Sequence, residues 1–160
     1  MEIEAILEEY ELAKTPLFRG FLERSIEQML ECLAPDVLHF QAGDPILWEE
    51  KNCAMLLRGR LAAQTVTGET VSLTEGTNLG AEFYLQKGTT WFREYRAKTP
   101  VSLLTYDRQT ALNPCWFSCF YHAAFLNNLL ALVATQNEAL GLLPEYSPEA
   151  ESIRLRLRGE

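Results

Sequence analysis

The chain has 160 residues, 48% of them apolar, and a formal net charge of −8. That is one domain's length with enough apolar content for a real core. Its acidity argues against direct binding of the body to DNA, RNA or an anionic membrane. No apolar run reaches the eighteen or so residues of a membrane span, and the acidic start Met1-Glu2-Ile3-Glu4 does not read as a secretory leader. Four cysteines, Cys32, Cys53, Cys115 and Cys119, form no disulfide framework. A cytoplasmic protein with reduced thiols is expected.

Residues 1–34 read as helical. Ile3, Ile6, Leu7, Tyr10 and Leu12 fall on helical spacing, Thr15-Pro16 breaks it, and Ile26, Met29, Leu30 and Leu33 mark one face of a second helix. Ala34-Pro35-Asp36 closes that helix. From residue 35 to 112 the pattern changes to short β-prone runs separated by Gly-containing turns, such as Ala42-Gly43-Asp44, Arg58-Gly59-Arg60, Thr67-Gly68-Glu69 and Glu75-Gly76-Thr77. Regular turns without intervening helices predict a sandwich or barrel and exclude parallel βαβ units.

Residues 113–143 return to a helical period. Cys119, Ala123, Leu126, Leu130, Val133, Asn137 and Leu140 are spaced 4, 3, 4, 3, 4, 3. This is an a/d seam, expected to pair two subunits, with Asn137 as a register-setting polar residue. A second stripe, Phe117, Phe120, Tyr121, Ala124, Leu129 and Leu132, is expected to face the chain's own β region. Asn127 and Asn128 read as polar spacing on the outer face. Residues 144–160 read as a hinge followed by a short helix, with Ser147 as N-cap and Pro148 in the first turn. The last ten residues carry three Arg against two Glu.

This order of elements, together with several local motifs, resembles the effector domain of Crp–Fnr-like regulators in the cyclic-nucleotide-binding superfamily. Phe40-Gln41-Ala42-Gly43-Asp44-Pro45-Ile46 looks like the family's first barrel turn. Met55-Leu56-Leu57-Arg58-Gly59-Arg60-Leu61 looks like its central turn, and Arg96-Ala97-Lys98-Thr99 with Val101, Leu103 and Leu104 looks like its last strands. The resemblance implies a mainly β fold: a double-stranded β-helix (jelly-roll) barrel with N-terminal helices and a long C-terminal dimerisation helix. It also implies a homodimer, with DNA bound only through a C-terminal helix-turn-helix. Residues 148–157 look like the first helix of such a domain, and the rest of it is expected to be missing or truncated here.

In the family a phosphate cassette runs from Gly-Glu to Arg-Ser/Thr-Ala; the Glu takes the ribose hydroxyl and the Arg clamps the phosphate. Here Ala81 separates Gly80 from Glu82, and with Arg96-Ala97-Lys98-Thr99 as anchor the Arg position falls on Trp91. Arg93, two residues on, is a weaker substitute. The expected ligand region comprises Gly80, Glu82, Phe83, Tyr84, Trp91 and Arg93, with Phe83, Tyr84 and Trp91 lining an aromatic pocket or simply filling the barrel. The function expected is a ligand-sensing regulatory domain of a transcription regulator that does not respond to cyclic AMP, with an unidentified effector and no cofactor. The alternative is a stand-alone dimeric barrel acting as a protein-interaction module.

Other groupings point less far. Cys115, Cys119 and His122 lie at i, i+4 and i+7 and have metal-ligand chemistry, but small buried residues near a seam look the same, and no metal is expected. His39 reads as a structural histidine with one hydrogen bond. Two histidines, one outside the β region, cannot supply the ligand cluster of a metal-dependent cupin enzyme. Neither a nucleophile elbow nor a pair of carboxylates suited to acid–base work stands out, so no enzyme activity is expected.

Overall fold

The computed structural model describes residues 2–87, 91–113, 120–143 and 145–158. Helix α1 (Ile3–Glu9) is followed by two tight helical turns, Leu12–Lys14 and Pro16–Phe18, and by α2 (Glu23–Leu33). The helical pattern of the first segment thus ends at Tyr10, earlier than the Thr15-Pro16 break that its apolar spacing suggests. On α2 the expected face is buried: Ile26, Met29, Leu30 and Leu33 are all within 1% of complete burial. The helix stops at Ala34, which adopts the left-handed conformation (φ 49°) just before Pro35.

Among the described residues, seven strands follow. Strands β1 (Asp36–Phe40), β2 (Asn52–Arg58), β5 (Asn78–Leu79) and β7 (Val101–Asp107) form a sheet of order β1-β7-β2-β5, and β3 (Leu61–Thr65), β4 (Thr70–Leu73) and β6 (Phe92–Ala97) form a second of order β4-β3-β6. All pairings are antiparallel. The architecture is the expected jelly roll, with one correction: the two sheets do not close into a barrel. The β2–β3 turn shows why glycine is needed there. Gly59 has φ +96°, and a Cβ would lie 2.3 Å from the Pro100 carbonyl oxygen.

Between β5 and β6 lies the four-residue helix α3 (Glu82–Leu85); after β7 come α4 (Arg108–Leu112), α5 (Phe120–Ala139) and α6 (Pro148–Leu157). Helix α5 lies against the N-terminal turns and the four-stranded sheet. Phe125 meets Tyr106 edge-on at 5.7 Å and Phe18 at 5.9 Å. Asn128 is not an outer-face spacer: its side-chain amide donates to the Leu17 and Arg19 carbonyls at 2.9 and 3.0 Å.

The stripe read as a pairing seam is placed differently from that expectation. Leu126 and Val133 are 1% exposed and Asn137 5%, all covered by the chain itself, while Ala123, Leu130 and Leu140 are half-buried. Cys119 lies outside the described residues. The physical reason is that a helix lying on a sheet needs its own apolar stripe, and 4-3 spacing does not distinguish a partner helix from the body of the same chain. The side turned to solvent carries Asn127, Ala131, Ala134 and Glu138.

Candidate functional site: the cassette between β5 and β6

Residues 78–87 and 91–97 surround the place where the sequence put a ligand. Gly80 follows β5 with φ +98°, a conformation that favours glycine, and lies against Cys53 of β2. Its N–H donates to Glu82 Oε2 at 2.7 Å. Glu82 is fully buried, and its second oxygen has no hydrogen-bond partner among the described residues. Burial pushes the carboxyl up to about 7, against the lowering effect of the backbone N–H groups. The surroundings are equally dry. Burial, and then the Glu82 charge, pushes the Cys53 thiol up to about 12. Tyr106 donates to Asn78 Oδ1 at 2.9 Å, and burial holds its phenol well above its ordinary range.

Trp91 is 2% exposed. Its indole N–H donates to Asn137 Oδ1 on α5 at 2.7 Å, which joins the cassette to the long helix. Phe92 is also buried and packs edge-on against Trp91 at 6.4 Å. The position that the sequence register assigns to the clamp is thus occupied by an aromatic side chain whose indole donor is already used.

The three aromatics expected to share one pocket are separated. Trp91 borders a small cleft of about 170 Å³ beside α5. Tyr84 faces α4 and α6, with the Arg108 guanidinium stacked 3.6 Å from its ring centroid. Phe83 is 52% exposed and borders a groove of about 490 Å³ together with Gly80 and Arg93. The correction has a simple origin. On a helix as short as α3 neighbouring residues point about 100° apart, so Phe83 and Tyr84 cannot face one cavity, while Trp91 belongs to the opposite end of the connection.

Sequence reasoning missed Trp48 and Tyr95, which line the same groove as Phe83 and meet at 5.4 Å. It also missed how the C-terminal segment returns to the cassette. Gln86 forms an isolated antiparallel bridge with Tyr146, the Lys87 N–H donates to the Glu145 carbonyl at 2.9 Å, and the Ser147 N–H donates to the Leu85 carbonyl at 3.0 Å. The Ser147 hydroxyl donates to the Tyr84 carbonyl and accepts from the Ala150 N–H, so the N-cap read from Ser147-Pro148 is present. No local periodicity announces that docking, because the bridge is a single residue pair.

Of the remaining candidates, His39 has the single bond expected of it, to Ser102 Oγ at 3.1 Å. His122 is buried, donates to the Ala111 carbonyl at 2.9 Å, and is held below its usual range by burial. Cys115 and Cys119 lie outside the described residues, and among the described residues no three metal-binding side chains converge.

No protein-family profile matches the chain, and no curated relative matches it by sequence. Solved structures do match. The sensor domain of the transcriptional regulator DNR from Pseudomonas aeruginosa aligns with TM-score 0.51 and 11% identity over 80% of this chain and 88% of its own. A protein from Geobacter metallireducens GS-15 assigned to cyclic-nucleotide binding aligns with TM-score 0.55 and 19% identity over 84% of this chain and 98% of its own. The regulatory subunit of a cAMP-independent protein kinase A from Trypanosoma brucei aligns with TM-score 0.56 and 16% identity over 97% of this chain and 51% of its own, so the chain spans about half of that subunit. With its antiparallel jelly roll, its cassette helix between β5 and β6 and its long helix across the sheets, the chain has the cyclic-nucleotide-binding fold, the fold on which Crp–Fnr-type sensor domains are built.

Proposed function

We propose that this chain is a ligand-sensing regulatory domain that does not take cyclic nucleotides through a phosphate clamp, and that it is not itself a catalyst. The observation that carries this reading is Trp91, buried at the clamp position and bonded to Asn137 at 2.7 Å. An indole supplies one donor and no charge, whereas a phosphate in a closed pocket requires a paired cation and several donors. Among the described residues, the cleft that Trp91 borders holds about 170 Å³, below the usual size of a small-molecule site. The T. brucei subunit is described as cAMP-independent, which gives a precedent on this fold.

In this reading, change at the cassette reaches α5 through the Trp91–Asn137 bond and α6 through the Gln86–Tyr146 bridge. Two subunits would pair through the outward side of α5, and any DNA contact would belong to a separate domain rather than to this acidic body. The discriminating experiment is calorimetric titration of the purified protein with cyclic AMP and cyclic GMP. The expected result is no saturable heat from the wild-type protein; micromolar binding overturns the proposal. Light scattering across a dilution series, with and without Ala134→Glu, tests the pairing face: a dimer indifferent to that change excludes it.

A further inference from the structure

We infer that the groove on the outer side of the cassette is the effector site, and that its ligand is a flat aromatic monoanion, an aromatic ring bearing a single carboxylate. This inference deepens the sensing role proposed above and rests on it. Strand β6 is paired with β3 along its length, but on its other edge the segment around Pro45 covers only the Tyr95–Ala97 end, through the bonds Ile46 N–H to the Tyr95 carbonyl at 2.9 Å and Ala97 N–H to the Asp44 carbonyl at 2.9 Å. Beyond Ile46 the chain leaves β6. The gap between them is the groove of about 490 Å³, within the range that small-molecule sites occupy.

Its walls are aromatic. Trp48 and Tyr95 meet at 5.4 Å with their rings tilted by 46°, and Phe83, half exposed on α3, faces the same space. Exposed aromatic surface beside a cleft is the usual mark of a site awaiting a flat partner. The charged groups narrow the class further. Two guanidiniums and two carboxylates border the groove: Arg93, Arg96, Glu50 and Glu94. Arg96 is engaged with the Gly43 carbonyl at 2.8 Å. Arg93 makes no hydrogen bond or ion pair among the described residues and, at the bulge between Phe92 and Glu94, lines the same groove as Tyr95. It is the group available for a bidentate carboxylate contact. Two acidic side chains at the rim repel a polyanion, so nucleotides and polyphosphates fit poorly, while a single negative charge can be met by Arg93 with its ring between the aromatic walls.

The position explains how occupancy would be sensed. Gly80, on the groove wall, donates to Glu82 inside the cassette, and Phe83 is the next residue of α3. A ring packed against Phe83 therefore presses on the helix that carries both Glu82 and the backbone contacts to residues 145–147.

The test uses the full chain, isotope-labelled, with naphthalene carboxylate and its neutral carboxamide as matched probes. The indole N–H of Trp48, which donates to the Asn52 carbonyl at 3.0 Å, is the local reporter, and Trp48→Phe and Trp91→Phe assign the signals. Saturable movement of the Trp48 signal by the carboxylate is expected, with about tenfold weaker binding of the carboxamide and of the carboxylate to Arg93→Gln, and a comparable loss in Phe83→Ala. Equal affinity for the two probes, an unchanged affinity in Arg93→Gln, or no saturation overturns the assignment. Cyclic AMP in the same assay separates the two proposals: a saturable shift of the Trp91 signal removes the clamp argument and leaves the groove result standing.

Discussion

Strands β2 and β7 are buried along nearly their whole length, whereas β6, in the facing sheet, buries only its two ends and exposes most of its middle. The first pair lies between the second sheet and the helices, is mostly apolar with Ser102 and Thr105 as buried polar interruptions of β7, and contributes Cys53, Ala54, Met55, Leu56, Leu103 and Leu104 to the core. The second lies beside a short helix and an open groove, and its sequence mixes Arg, Glu and Tyr with Phe. The contrast separates what holds the fold from what is free to vary. Closing the sandwich fixes β2 and β7, while β6 carries charged side chains along its exposed middle.

That contrast can be broken at its strongest point first. Leu103→Ala removes a fully buried side chain from the centre of β7 and is expected to cost about 2–5 kcal/mol, measured by urea unfolding. A loss below about 1 kcal/mol would mean the central ladder is less closely packed than its burial implies.

Next comes Glu82. The folded protein holds this proton up to about 7, from an ordinary value of 4.5, so between those values the native state binds more proton than the unfolded chain. Stability is therefore expected to fall as pH rises through that window, by roughly 3 kcal/mol at most, and to level off above it. Glu82→Gln should flatten the slope, since its amide oxygen can still accept from Gly80. An unchanged pH profile in the variant would place the titration elsewhere.

Trp91→Phe should cost about 1–3 kcal/mol, because Asn137 is left with an unsatisfied buried amide and part of the indole volume is lost. The paired variant with Asn137→Leu sharpens this result. If the bond is the link between cassette and α5, the two changes together cost clearly less than their sum. Ser147→Ala is the mildest case, about 1 kcal/mol for the lost N-cap, with faster amide exchange confined to α6 and α3. Exchange that stays slow in α3 would detach the two helices.

The elements that the sequence announced are those in which one local rule decides the structure. The β2–β3 turn needs Gly59 at positive φ, α2 shows four apolar residues on one face, and Ser147-Pro148 caps α6. What could not be read is which partner satisfies a given side chain. Asn137 looked like a register residue for a second subunit and instead accepts from Trp91; Phe83, Tyr84 and Trp91 looked like one pocket and border three. Trp48 and Tyr95 lie far apart in sequence and meet only because the segment before β2 crosses beside β6.

The return of residues 145–147 to the cassette has a mechanical consequence. Two backbone bonds and one serine hydroxyl join the start of α6 to the end of α3, so the two helices are wired in series. Tension applied at α6 is delivered to α3 before it reaches either sheet. Conversely, anything that stiffens α3 raises the force at which α6 peels away. A pulling experiment from the two chain ends should show this as a small early rupture, separate from the unfolding of the sheets.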